Sequence, residues 1–383
     1  MKIGILTQPL HHNFGGLLQC FALQTILKRL GHEPWIIRRD REGDIKQLTL
    51  IDRIFYYVRQ GVKVFLGRKF IRLLDKEKLA YVKRNTIYFT SEYINPKTGF
   101  ITNHDLLKDC HLKDKFEAYV VGSDQVWRPI YSPCITNYFL DFLPSDDNNV
   151  KRIAYAASFG VDDWEFSEEE TKTCRDLLQK FDAISVRENS AVLLCDKYLN
   201  RADAVHVLDP TMLLNKEDYI SLVEKENEPK SQGNLFCYIL DEDEKKNEII
   251  EAIAKKTYAI PFTQMPKCKI SYENLKDRLE DCVYPTVTAW LRAFMDAEMV
   301  VTDSFHGCVF SIIFNKPFIV YGNKGRGMAR FHSLLSIFGL ENRLATNSED
   351  ALRIINESIN WEAVNTKKKE WQEKSYDFLK KNL

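Results

Sequence analysis

Residues 300–308, VVTDSFHGC, set an acid, a hydroxyl, an aromatic ring and an imidazole between two apolar runs. Val300 and Val301 read as the end of a strand, and CVFSIIFN after them has the apolar density of a buried helix. His306 therefore falls at the predicted start of a helix, three residues after Asp303. The backbone N–H groups of a helix start favour anions and disfavour a protonated imidazole, whereas a nearby carboxylate favours the proton and orients the ring. The pattern suits acid/base work or the holding of an anionic group, and equally a plain junction between core elements.

Other apolar runs end the same way. FEAYVVGSDQVW delivers Ser123, Asp124, Gln125 and Trp127; RIAYAASFG delivers Ser158; FDAISVREN delivers Arg187 and Glu188; AVHVLDPTMLL delivers Asp209. Polar residues at the C-terminal ends of strands are where open α/β sheets bind ligands. Gly15 and Gly16 lie between the strand KIGILT and a helical pattern that stops at Gly31. They read as a loop whose backbone could approach a phosphate or carboxylate, or as a bare tight turn, with Asn13 and Gln19 as hydrogen-bonding partners for a sugar. Arg326 and Arg330 follow the strand PFIVYG in the segment GNKGRGMAR, and guanidinium groups suit two-pronged recognition of phosphate and carboxylate. The plain alternatives are an ion pair of Arg187 with Glu188 or Asp182, and a solvated loop around Arg326 and Arg330.

The elements that must position these groups alternate strand and helix, which predicts an α/β protein with parallel sheets and helices on both faces. With 383 residues the chain is long enough for two domains, and two domains imply a cleft. The polar stretch EKENEPKSQGN, 224–234, reads as the linker, after which the pattern restarts at LFCYIL. This divides the chain into 1–225, 233–360, and a last helix, 361–383, whose aromatic stripe suits packing across the boundary.

Lys plus Arg and Asp plus Glu both number 54, so no global basic field points to nucleic acid. The nine cysteines form no C-x-x-C pair, which predicts reduced thiols in a cytoplasmic protein and no zinc site. No window approaches the roughly 18–20 apolar residues of a membrane span. The segment 52–72 mixes apolar residues with six basic residues and one acid. It reads first as an amphipathic surface helix, and alternatively as a patch for the inner membrane face or an anionic lipid-linked substrate. The commonest nucleotide-binding, zinc-protease and serine-hydrolase motifs are absent.

Taken together, NFGGLLQCFALQ, VVGSDQVWRP, RIAYAASFG, AISVRE, VLDPT and VVTDSFHGCVFSIIFNKPF resemble the polysaccharide pyruvyl transferase family, in blocks from residue 3 to about 345. The resemblance implies a GT-B-like pair of Rossmann-like domains facing a cleft. It implies transfer of the enolpyruvyl group of phosphoenolpyruvate to a sugar of a cell-surface polysaccharide precursor as a cyclic ketal, with release of phosphate. Phosphoenolpyruvate is then a co-substrate, with no cofactor or metal, and the acceptor glycan rides on a nucleotide or polyprenyl lipid. It further implies His306, Asp303 and Asp124 as catalytic groups and Arg187, Ser304, His306, Gly307, Arg326 and Arg330 around the donor. Asn13, Gly15, Gly16, Gln19, Ser123, Asp124, Gln125 and Trp127 fall on the acceptor side. The better studied members of the family carry Arg-Leu before the motif histidine, where this chain has Ser304 and Phe305. One expected guanidinium is therefore missing, and Arg330 or Arg326 would replace it. The alternatives are a GT-B glycosyltransferase that uses a nucleotide sugar, and a non-catalytic glycan or sugar-phosphate binding protein.

Overall fold

The computed structural model describes residues 1–41, 58, 74–144, 147, 149–322 and 327–383. Of the basic segment 52–72 only Val58 is among them, so the expected membrane or lipid contact lies outside the described residues, as does Arg326. Among the described residues no helix is long and apolar enough to cross a membrane.

The first sheet contains β1 (Lys2–Leu6), β2 (Glu33–Arg39), β3 (Lys97–Ile101), β4 (Ala118–Val121), β5 (Lys151–Ala157), β6 (Ala183–Val186) and β7 (Val205–His206). Its order is β3-β2-β1-β4-β5-β6-β7. The second contains β8 (Leu235–Tyr238), β9 (Pro261–Phe262), β10 (Met299–Thr302), β11 (Phe318–Tyr321) and β12 (Leu344–Ala345), in the order β12-β11-β10-β8-β9. The paired strands of both run parallel. The central strands are apolar on both faces because helices cover both sides: β4, β6 and β8 are buried at every residue.

In each sheet the order of connection reverses once, between β1 and β4 in the first and between β8 and β10 in the second. At such a reversal the two outgoing loops part and leave a crevice beyond the strand ends. The helix Phe14–Arg29, which leaves β1, joins the two sheets. Asn13 caps it by accepting from the Gly16 N–H, and Phe14 stacks on Trp290 of the second half at 5.8 Å. Gly15 and Gly16 are thus in the first turn of this helix, not in a loop before it. Phe14 buried against Trp290 and Tyr238 draws the helix start forward.

Residues 226–234 run without helix or strand between the helix Lys216–Lys225 and β8. The last helix, Trp361–Asn382, lies on elements of the first half. Leu208 N–H donates to Ser375 Oγ at 3.0 Å, Gln372 donates to the Met212 carbonyl at 2.6 Å, and Lys151 Nζ donates to the Asn382 carbonyl at 3.1 Å.

Candidate active site

The two crevices open onto one cavity of about 430 Å³. Its first-half wall comes from the loops after β1 and β4, with Gln8, His11, His12, Asn13, Gly16, Asp124 and Gln125, and from Arg41 after β2. The second-half wall comes from the loops after β8 and β10, with Leu240, Asp303, Ser304, Phe305 and His306, together with Arg330.

His306 is fixed from several directions. Ser304 caps its helix, Phe305–Ile313, by accepting from the Gly307 N–H. Gly307 lies so close to Thr302 that a Cβ there would stand 2.1 Å from Thr302 Oγ1. Across the cavity the imidazole rests on the first helix, where a Cβ on Gly15 would stand 2.1 Å from His306 Nδ1. Gly15 is therefore required by the close approach of the histidine. On the far side of the ring, Nε2 is 3.6 Å from Asp209 Oδ2.

Asp209 is fully buried at the end of the segment after β7. Its Oδ1 accepts from the Thr211 N–H and hydroxyl, and its Oδ2 accepts from Arg187 Nη1 at 2.7 Å. Burial alone would raise its proton affinity, but His306, Arg187 and Thr211 outweigh burial and hold the carboxylate well below its usual range. The carboxylate at ion-pair distance from His306 is thus Asp209, while Asp303 is engaged elsewhere. Asp303 instead accepts from the Leu240 and Asp241 N–H groups and from Lys246 Nζ, which ties the β8 loop to β10.

Arg187 has a side chain only 1% exposed, with Asp209, Asp124 and Glu188 around it at 2.7, 3.3 and 3.5 Å. Burial disfavours its charge, yet the three carboxylates more than restore it and hold the guanidinium firmly protonated. Its expected ion pair with Glu188 is present, whereas Asp182 instead accepts from the Arg152 N–H. Arg187 does not line the cavity; it sets Asp209 and Asp124 in place for the groups that do. Among the described residues the donor-side cation that lines the cavity is Arg330. Burial, then the like charge of Arg187, pushes Arg330 down to about 10. The Phe305 ring is shared by both cations, 4.5 Å from the Arg187 guanidinium and 5.7 Å from that of Arg330. A negative charge placed beside Arg330 would offset both effects.

At the other wall His12 packs on Tyr284 with ring centroids 4.6 Å apart. Burial, then Lys83 and His11, lowers His12 to about 4, so the ring is neutral near pH 7. Its Nδ1 has no hydrogen-bond partner among the described residues. Together with Asn13, Gln8 and Gln125 it offers the neutral donors and acceptors that hydroxyl groups match. Among the described residues no three His, Cys, Asp or Glu side chains gather as a metal site.

His306, Ser304, Arg330, Asp124, Gln125, Asn13 and Gly16 thus meet at one cavity. Three acceptor-side expectations are corrected. Trp127 is fully buried against Phe139 and donates to the Tyr138 carbonyl. Gln19 is buried and donates to Thr7 Oγ1, and Ser123 is buried and donates to the Ala156 carbonyl. Each satisfies the interior instead of facing the cavity. Asp209 and His12 were not singled out from sequence as site residues. Asp209 ends a strand run like the others, and only the fold brings it behind His306.

Among solved structures the chain is similar to the UDP-GlcNAc 2-epimerase of Neisseria meningitidis bound to UDP-GlcNAc. The identity is 9% and the TM-score 0.50, over 98% of this chain and 94% of that one. It is also similar to the UDP-N-acetylglucosamine 2-epimerase of Rickettsia bellii, at 13% identity and a TM-score of 0.49, over 99% and 96% of the two chains. An α-glucosyltransferase in complex with UDP matches at 9% identity and a TM-score of 0.46, over 100% and 96%. At these identities the likeness concerns the fold alone, a GT-B-like pair of parallel α/β sheets. No curated protein matches the sequence. The polysaccharide pyruvyl transferase family model matches residues 13–325, a stretch that begins at the cap of the first helix and runs past the His306 turn. The chain belongs to that family, and is a transferase.

Proposed function

We propose that the protein transfers the enolpyruvyl group of phosphoenolpyruvate to two hydroxyls of one sugar, forming a cyclic ketal and releasing phosphate. The observation that carries this reading is the buried Arg330 cation beside the His306–Asp209 pair at one wall of the cavity. Arg330 and Ser304 hold the phosphate and carboxylate of the donor. His306, backed by Asp209, supplies the proton that turns the methylene carbon into a methyl group, while the first sugar hydroxyl bonds to the adjacent carbon. Phosphate then leaves with the electron pair of its C–O bond, and the second hydroxyl closes the ketal. Of the two hydroxyl protons, one replaces the proton given to carbon and the other leaves with phosphate. Asp124, on the opposite wall, accepts a proton from an attacking hydroxyl, and His12, Asn13 and Gln125 hold the sugar. The acceptor is a precursor of a surface polysaccharide on a nucleotide or polyprenyl carrier, met on the cytoplasmic side of the membrane.

Incubation with phosphoenolpyruvate and a panel of nucleotide- and lipid-linked sugars is expected to release one phosphate per pyruvate gained by the sugar. Thermal stabilisation by a nucleotide sugar but not by phosphoenolpyruvate, with no pyruvylated product from the panel, would overturn the reading.

A further inference from the structure

Between β9 and the helix Val287–Asp296 the chain makes an excursion that belongs to neither sheet. It contains a short helix, Tyr272–Asp277, and a 3-10 turn, Glu280–Cys282. Its own small core, Leu275 and Cys282, packs on Val82 of the first half. The excursion then returns to the cavity wall. Tyr284 N–H donates to the Val82 carbonyl at 2.9 Å, Asn85 donates to the Tyr284 carbonyl at 2.7 Å, and the Tyr284 ring backs His12.

Within this excursion the Sγ atoms of Cys268 and Cys282 are 3.3 Å apart. The Cys268 N–H also donates to the Asp281 carbonyl at 3.1 Å, so the two segments are already held side by side. Cys268 is partly exposed and Cys282 is buried. An exposed sulfur can be reached by a small oxidant, and a buried one beside it can resolve the product. None of the other seven cysteines takes part in the chemistry derived for the cavity, and neither do these two.

We propose that Cys268 and Cys282 form a reversible dithiol/disulfide site that closes by exchange with a low-molecular-weight disulfide such as oxidised glutathione, and so locks the excursion that supports His12. The Cys268 thiolate attacks the small disulfide, forms a mixed disulfide and expels one small thiol. The Cys282 sulfur then attacks the Cys268 sulfur and expels the second. Two protein thiols are oxidised, one small disulfide is reduced to two thiols, and the two protons leave on those thiols. The closed loop runs from 268 to 282 and removes freedom from the segment that ends two residues before Tyr284.

The test uses the full chain and does not depend on its activity. Protein incubated with oxidised glutathione, alkylated and digested without reductant is expected to yield one cross-linked pair of peptides carrying Cys268 and Cys282, lost on adding dithiothreitol. Trypsin cleavage at Lys269, Lys276 and Arg278 in the native oxidised protein is expected to slow at least about tenfold relative to the reduced protein. Cys282→Ser should stop at glutathione on Cys268 and keep the fast cleavage. Full alkylation of both thiols after oxidation, glutathione on Cys268 of the wild-type chain without cross-linking, or a cross-link that leaves cleavage unchanged, each overturns the proposal.

Discussion

His306 and Arg330 face the same cavity but are asked for different things, and their variants separate those demands. In the proposed reaction His306→Ala removes the proton donor while leaving the donor's anionic groups held. Its kcat is expected to fall by about a hundredfold to ten-thousandfold with KM for phosphoenolpyruvate little changed. In the same reaction Arg330→Ala removes a charge-assisted contact to phosphoenolpyruvate made before the chemical step as well as during it. Here KM for phosphoenolpyruvate is expected to rise by about tenfold or more, in line with the roughly 1.5–3 kcal/mol of a charged hydrogen bond. Steady-state kinetics with varied phosphoenolpyruvate measures both, and the same pattern in both variants would contradict the assignment. Arg187 is unsuited to such a comparison, because its removal strands the buried Asp209 and Glu188 and tests folding instead.

The helix Ala329–Phe338 brings Arg330 to the cavity, and its hold on the first half is local and specific. Ser333, on the same face one turn on, accepts from the Asn189 N–H at 2.8 Å and lies 3.4 Å from His206 Nε2. That same Nε2 donates to the Arg187 carbonyl at 2.9 Å, so one small network fixes both arginines relative to each other. Ser333→Ala is expected to raise KM for phosphoenolpyruvate by about two- to tenfold while kcat stays near normal, as befits the loss of a neutral hydrogen bond. An unchanged KM would show that the helix is held elsewhere. The strand and helix runs that build both walls were legible in the sequence, since central parallel strands are continuous apolar stretches and their polar ends stand out. Three edge strands were not. In β3, Lys97–Ile101, apolar residues are too few, and β9 and β12 are two residues each. Nor does a local pattern distinguish Trp127 in the core from Trp127 on a sugar, or Asp303 tied to Lys246 from Asp303 beside His306. Those outcomes depend on contacts between residues far apart in the chain, and His306 meets Asp209 across nearly a hundred residues.

The pH dependence of stability is a property of the whole molecule, because its groups lie in several elements. His12 and His206 are both pushed from 6.5 to about 4, chiefly by burial. The unfolded chain therefore binds protons between those values that the folded chain refuses, and stability falls as pH drops through that window. Asp209 has the opposite chemistry and the same direction. Its affinity for protons is lowered on folding, so its contribution is full above the ordinary carboxylate value of 3.8 and is lost only in stronger acid. Urea unfolding at several pH values is expected to give a stability that rises from pH 4 to 6.5, with a shallower slope in His206→Gln; an equal slope in that variant would exclude His206 as a source.

The last helix has a consequence for how the chain comes into being. The Leu208 N–H, the Met212 carbonyl and Lys151 Nζ, all in the first half, bond to residues 372–383 of the last helix and its end. During synthesis the first sheet leaves the ribosome long before those partners exist, and it must wait through the whole of the second half with that surface uncovered. Domains usually fold as units as they emerge. Here the first half can gather its strands early, but this surface is covered only after residues 361–383 are made.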